Sequence, residues 1–461
     1  YANVRHDLAP DVTLFARVSY TNRTSETKGA PEPLCLGNGC GTRITDNFVI
    51  GADNPYNFTG LELSVANGNL EFFGRRPLES GGRLFFKDVN TYMITAGLEG
   101  EFNAVDRNFY WDLTAGYGDN RGFQEKYNSH NAAKLQVAMG PLSVCQATPG
   151  CVPFNFFGGQ GPDGNGSITE EMLDFVRYTQ RDYSEQTLKN YAFNIGGDVA
   201  ELPGGVMGFA AGIEYRDHEG SFRPDPIAAS GDTAGIPSGP TDGGFDVTEF
   251  YGELSIPLLS DAAFADALEV NLAARSSDYS TSGSKSTYKA SALWRPVDQV
   301  GVRGSISTGF RAPGIGELFG GAAREDFTFL DPCADYEGTQ GSGNGGRDTP
   351  QPANIQANCA SLGVPAGMTQ INPQLSALST GNDQLQPEES DNITFGVVYS
   401  PAWSQGLGWS DGMTFSIDFY DVEITDAVQG ISPGDLIDAC VETLDDLYCE
   451  NTPRTSSGQL D

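Results

Sequence analysis

Apolar residues recur at every second position through much of this chain, and a period of two marks a strand with one apolar and one polar face. The first row is Val12, Leu14, Ala16, Val18 and Tyr20, with Thr13, Arg17 and Ser19 between. The pattern returns over 92–102, 111–117, 191–199, 207–215, 250–256, 268–274, 288–294, 300–310, 393–399 and 415–419, so eleven strands are predicted. Residues 70–78 read as a strand-like extension inside the first long connection. A Ser or Thr cap followed by acids predicts a helix over 167–181, and Ser432-Pro433 predicts another over 432–447.

Alternation alone does not separate a β-sandwich from a membrane barrel. Three features favour the barrel. The apolar rows often end in an aromatic residue, as at Tyr20, Phe102, Tyr117, Tyr215, Trp294 and Tyr399, which suits an interfacial girdle. The opposite rows carry Arg, Lys, Glu, Asp, Asn and Gly, which suits a wet lumen. The connections also alternate in length, with short ones at 103–107, 203–204, 259–266, 298–299 and 402–411. The long ones lie at 21–85, 119–185, 219–244 and 311–387, with 280–284 the one short connection on that side. The expectation is an all-β, antiparallel transmembrane barrel with long extracellular loops that carry short helices.

The cysteines fall in local pairs, Cys35/Cys40, Cys145/Cys151, Cys333/Cys359 and Cys440/Cys449, all on the long-loop side. Such pairs read as disulfides made in an oxidising compartment. Zinc fits poorly, because the three His (His6, His130, His218) lie away from the pairs and no C-x2-C spacing occurs. No metal site, catalytic residue or cofactor is assigned. The acidic stretch from Asp435 to Asp446 lacks an EF-hand pattern. Motifs for nucleophilic, metalloprotease or phosphate-loop chemistry are absent from the sequence. Carboxylates at Glu99, Glu101, Asp112, Asp198, Glu249, Glu253 and Asp418 face inward by parity, on separate strands, as lumen-lining charges do. The formal charge of −34 argues against a nucleic-acid partner. No apolar run is long enough for a membrane-spanning helix.

Several segments together resemble the TonB-dependent receptors. Phe310-Arg311-Ala312-Pro313, followed by Glu317-Leu318-Phe319, resembles the family's F-R-A-P-x-x-x-E-L-F signature at a barrel rim. Pro387-Glu388 and Asn392 lie in a stretch similar to L-x-P-E-x-S-x-N. Asn54-Pro55-Tyr56-Asn57, the 151–159 segment, Leu202-Pro203-Gly204-Gly205 and the 212–216 segment also resemble parts of this family. The resemblance implies a barrel domain over 1–461, in a protein that also has an N-terminal plug, a TonB box and further C-terminal strands. It implies uptake of a siderophore, cobalamin, metal chelate or oligosaccharide across the outer membrane of a Gram-negative bacterium. TonB with its inner-membrane ExbB/ExbD motor would be the partner, and outer-membrane lipid and lipopolysaccharide the surroundings. A passive porin or adhesin barrel and a secreted β-rich enzyme or sandwich are the alternatives. Phe154, Phe156, Phe157 and Arg311 are candidate cargo contacts, although a rim-shaping role for Arg311 and loop packing for the aromatics compete with that reading.

Overall fold

The computed structural model describes residues 1–37, 40–159, 166–404 and 412–460. Twelve antiparallel strands form one sheet in chain order, each hydrogen-bonded to the next. They are β1 (Ala2–Ala9), β2 (Val12–Lys28), β3 (Leu84–Ala104), β4 (Arg107–His130), β5 (Arg177–Leu202) and β6 (Gly205–Arg223), followed by β7 (Thr241–Ala262), β8 (Ala265–Tyr279), β9 (Gly283–Val297), β10 (Val300–Arg311), β11 (Glu388–Tyr399) and β12 (Phe415–Thr425). All eleven predicted strands are present. The twelfth, β1, was hidden by His6 standing in its apolar row. It lies at one edge of the sheet, and every one of its residues is exposed.

Register fixes the faces. Leu14 pairs with Leu98, Leu98 with Leu113, Leu113 with Phe193, Phe193 with Ile213 and Ile213 with Phe250. Leu254, Leu272, Ala290, Ile306 and Ile393 continue the apolar face on the later strands. These side chains are uncovered: Leu113 is 49% exposed, Phe250 56% and Ile306 60%. A sandwich would bury such a face under a second sheet. Among the described residues the other three sheets are two-stranded ribbons.

Connections of few residues, such as 105–106, 203–204, 263–264 and 298–299, alternate with long loops over 29–83, 131–176, 224–240 and 312–387. The predicted connection at 402–411 falls mostly outside the described residues. Several strands run farther than their apolar rows, with β4 at 24 residues and β5 at 26. At about 3.3 Å per residue that is far more than a tilted strand needs to cross about 30 Å of hydrocarbon. The extra turns of ladder at the long-loop end are polar, so hydrophobic alternation did not reveal them.

The loops are not merely solvated chain. The first two long loops share one core, built from Leu34, Leu36, Phe48, Ile50, Leu135, Met139, Phe154, Phe156, Leu173 and Val176. A second core joins the 312–387 loop to the segment after β12 through Cys333, Tyr336, Cys359, Val364 and Val441.

The predicted helix over 167–181 is shorter, Glu170–Val176, with Thr169 as its cap. From Arg177 the chain joins the β5 ladder against His130 and Ser129, and ladder pairing with β4 prevails over local helix preference. The helix predicted over 432–447 spans Pro433–Thr443, capped by Ser432. Leu444 then turns left-handed, at φ 55°, and a new helical turn starts after Asp445. Residues 72–75 do form a strand, which pairs with 34–37.

Candidate functional site

The polar face carries a ladder of side chains that reach across strands. Glu99, Asp112, Asn194, Gly212, Tyr251 and Arg275 are successive register partners. The Tyr251 hydroxyl donates to Asn194 Oδ1 at 2.7 Å, and Asn194 Nδ2 donates to Asp112 at 2.9 Å. This bridge crosses β6 at Gly212, where a Cβ would sit 2.5 Å from the Tyr251 ring and 2.6 Å from Asn194 Oδ1. Glycine is required there for close approach, not for turning. Gly396 plays the same part between Arg303 and Asp418, which meet through two bonds of 2.9 and 2.8 Å.

Farther along, Glu249 accepts from Arg216 and Arg275 at 2.7 Å each and from Ser277 at 2.5 Å, while Arg275 also reaches Glu214 at 3.1 Å. Glu99 pairs with Arg5. The inward parity read for Glu99, Asp112, Glu249 and Asp418 is therefore the face of this network. Glu99, Glu249 and Asp418 have Arg partners, and Asp112 accepts the Asn194 amide. Together they make a polar wall.

At the long-loop end, β10 leaves the sheet through the Phe310–Phe319 segment. Arg311 faces Glu388 in register and donates to it through Nε at 2.6 Å. Its other nitrogens grip Glu317 at 2.8 and 3.1 Å, a two-pronged contact that a planar guanidinium suits. Glu317 also accepts the Gly314 amide at 2.7 Å and so caps the short helix Ile315–Phe319. The Arg311 hydrogen bond outweighs partial burial, and together with the Gly314 amide it holds the Glu317 carboxyl below its ordinary value.

Pro313, Leu318 and Pro387 are buried, and Ala312 is half-buried. Phe319 packs where Gly243 has no side chain, and Ile315 lies over Gly220. Both glycines share the register face of the polar ladder, so the helix folds over that face. Asn392 Nδ2 donates to the Ser307 carbonyl at 3.3 Å on the neighbouring strand. Phe310 is half-buried, with its ring edge-on to Tyr279 at 5.9 Å. These contacts describe a strand-to-loop clamp, in which the Arg311 donors are taken by protein partners.

All four local cysteine pairs are disulfides, Cys35–Cys40, Cys145–Cys151, Cys333–Cys359 and Cys440–Cys449. The first two staple the first loop core and the others the second. Phe154 and Phe156 are each 1% exposed inside the first core, so neither ring reaches a cargo in this conformation. Phe157 is half-buried and stacks on Phe73 with ring centres 5.3 Å apart.

Sequence reading missed the junction that ties this cap to the barrel top. Glu32 is 1% exposed; it binds Lys126 and accepts the His130 amide at 2.8 Å, and His130 Nδ1 lies 3.4 Å away. Gly235 closes over it from a third loop. A single acid in a Pro-rich stretch gave no periodic signal for this role.

The family model described as TonB dependent receptor-like, β-barrel, matches residues 37–458. No curated protein matches the sequence. Solved structures similar to this chain include the ferric-catecholate import receptor Fiu of E. coli K12, at 12% identity over 94% of this chain and 52% of that one, with a TM-score of 0.46. A ferric enterobactin receptor of Pseudomonas aeruginosa in complex with enterobactin is 10% identical over 92% of this chain and 50% of that one, with a TM-score of 0.34. The siderophore receptor PirA of Acinetobacter baumannii is 12% identical over 87% and 47%, with a TM-score of 0.31. The chain thus spans about half the length of these receptors. With the family model matched over nearly all of its length, the chain belongs to the TonB-dependent receptor β-barrel family.

Proposed function

We propose that this chain forms part of the wall and outer loops of a Gram-negative outer-membrane receptor, which takes up a scarce nutrient with work delivered by TonB. The observation that carries this reading is one sheet with two opposed faces. One is apolar and uncovered, as a lipid-facing wall is. The other is an ion-paired polar ladder under loops that are folded and stapled at a single end.

The cargo classes are siderophores, cobalamin, metal chelates and oligosaccharides. Transport is the activity, and no residue acts as a catalyst. A plug domain elsewhere in the intact protein fills the lumen, and the ExbB/ExbD motor drives TonB from the inner membrane. Lipid and lipopolysaccharide surround the apolar face. The barrel domain extends across 1–461, and Arg311, Glu317 and Glu388 hold the rim loop in place for cargo capture.

The test is uptake of cargo by cells that express the intact gene, with and without TonB. Loss of uptake with cargo still bound at the cell surface is expected. Uptake that persists without TonB and rises linearly with cargo concentration identifies a passive porin instead.

A further inference from the structure

The two loop cores form two caps, and the loop over 224–240 touches both. It meets the first cap through its backbone. The Ala132 amide donates to the Asp232 carbonyl at 2.7 Å, and the Ala234 amide to the His130 carbonyl at 2.8 Å. Asn131 and Thr233 form a β-bridge, and the Tyr178 hydroxyl donates to the buried Thr233 Oγ1 at 3.0 Å. Ala234 packs on the first core. Gly235 lies against Glu32, where a Cβ would sit 2.5 Å from Oε1.

Three residues after Gly235, the same loop joins the second cap. Ser238 bridges Ala323, and the Gly239 amide donates to the Ala322 carbonyl at 2.7 Å. The crossing is close, because a Cβ at Gly321 would sit 2.2 Å from the Pro240 carbonyl oxygen. The Gly321 amide also donates to Thr241 Oγ1 at 3.2 Å. From there Ala323–Thr328 pairs with Gln374–Ser379, in the loop whose Cys333 and Cys359 build the second core. A further tie is direct: the Arg324 guanidinium covers Gly41 of the first cap, where a Cβ would sit 2.4 Å from it.

The rim leaves room for this arrangement. The chain leaving β10 places Ile315 over Gly220 on β6 and Phe319 over Gly243 on β7, so it passes β8 and β9. Those two strands are joined by only three residues, 280–282, and the Ser280 amide is bonded back to the Asp246 carbonyl at 2.9 Å. A long loop there would stand in the path.

We infer that the 232–241 segment, with Arg324, locks the two caps into one lid, so that loosening either cap loosens the other. Contiguous hydrogen bonds and close backbone crossings carry such coupling. The inference does not depend on the uptake reading, since it concerns only how the loops hold one another. The test is hydrogen exchange in the full-length receptor in detergent. Glu32→Gln perturbs the first cap, and amides in 323–328 of the second should then exchange roughly tenfold faster, within the range of coupling between contacting groups. Coupling is reciprocal, so the double change Cys333→Ser/Cys359→Ser should speed exchange in 34–37 by a similar factor. In a receptor that carries Gly321→Ala and Arg324→Ala, which break both ties, each transmitted rise should shrink to less than about twofold over that receptor's own baseline. Each cap keeps its core and its disulfides in that background, and unchanged exchange of 135–139 and 355–359 checks this. A cap that loosens while the other keeps its parental exchange overturns the inference, as does a transmitted rise that survives in the untied receptor.

Discussion

Replacing Glu32 by Gln should loosen the first loop cap without disturbing the sheet. The carboxylate is buried against Lys126, whose side chain is 10% exposed, and it also takes the His130 amide. Gln keeps an acceptor for that amide but leaves the Lys126 cation without its counter-charge. Breaking one partner of a buried pair costs about 3–5 kcal/mol, and the slight exposure of Lys126 argues for the lower end. About 3 kcal/mol corresponds to a rise of roughly a hundredfold in the open population of the cap. Hydrogen exchange of amides in 34–37, in the full-length receptor in detergent, reads that population directly.

The double variant Glu32→Gln/Lys126→Met removes both charges and should restore exchange to within about 1 kcal/mol of the parent. The pH dependence follows from the same contact. Burial raises the Glu32 carboxyl, but His130 and Lys126 together outweigh it and hold it at about 2, down from 4.5. A carboxyl lowered by folding stabilises above its unfolded value, and that contribution fades as pH falls from 4.5 toward 2. The cap should therefore stay closed at pH 5 and loosen progressively as pH falls from 4.5 toward 2. Exchange in Glu32→Gln that rises less than threefold, or a double variant as loose as the single one, refutes the reasoning.

Other perturbations report on other parts. Reduction of Cys333–Cys359, which closes 26 residues, should cost the second cap about 3.5 kcal/mol, against about 2 kcal/mol for the five-residue Cys35–Cys40 loop; limited proteolysis of each cap after mild reduction compares them. Gly212→Val should break the Tyr251–Asn194 bridge and lower the thermal midpoint of the receptor in detergent by an overpacking cost of about 1–3 kcal/mol. Arg311→Lys cannot reproduce the fork on Glu317 and should weaken cargo affinity several-fold through a mobile rim loop while leaving the barrel folded, as measured by binding titration and heat-modified gel mobility. Ile306→Lys places a charge on the apolar face and should cost about 2–4 kcal/mol near the bilayer centre, seen as reduced membrane insertion.

The strands were legible because a wall between two solvents must alternate, and rows such as Leu268/Val270/Leu272/Ala274 state that alternation outright. The disulfides were legible because each pair is local in sequence. What stayed hidden is held together by contacts between distant segments. The core that joins Leu34 and Phe48 to Leu135 and Phe154 has no period, since its residues come from loops about a hundred positions apart. The polar extensions of β4 and β5 carry side chains such as Asp119, Arg121 and Glu185, whose ion pairs, within β4 and across to β5, leave no hydrophobic trace. Phe154 and Phe156 left cargo contact and loop packing both open, because aromatics in a loop give the same signal whether they face solvent or a loop core; the structure packs them. At the rim, the motif marked the right residues, but only geometry shows Arg311 tied to both Glu317 and Glu388. Gly212 illustrates a further limit, because a glycine in a strand reads as a weak point until the tyrosine that crosses it is seen.

The most direct test of the two-faced wall is single-cysteine labelling in the full-length receptor, in outer-membrane vesicles. The eight cysteines of this chain are paired, so none of them competes with an introduced thiol. Cysteine is placed at Leu113 and Ile306 on the apolar face, and at Thr114 and Ser305 on the polar face, one residue apart on each strand. A membrane-impermeant, water-soluble maleimide should label positions 114 and 305 and spare 113 and 306, with the pattern reversed for a lipid-dissolved reagent. Equal aqueous labelling of neighbouring positions would contradict the account, because it would place both faces of the sheet in water.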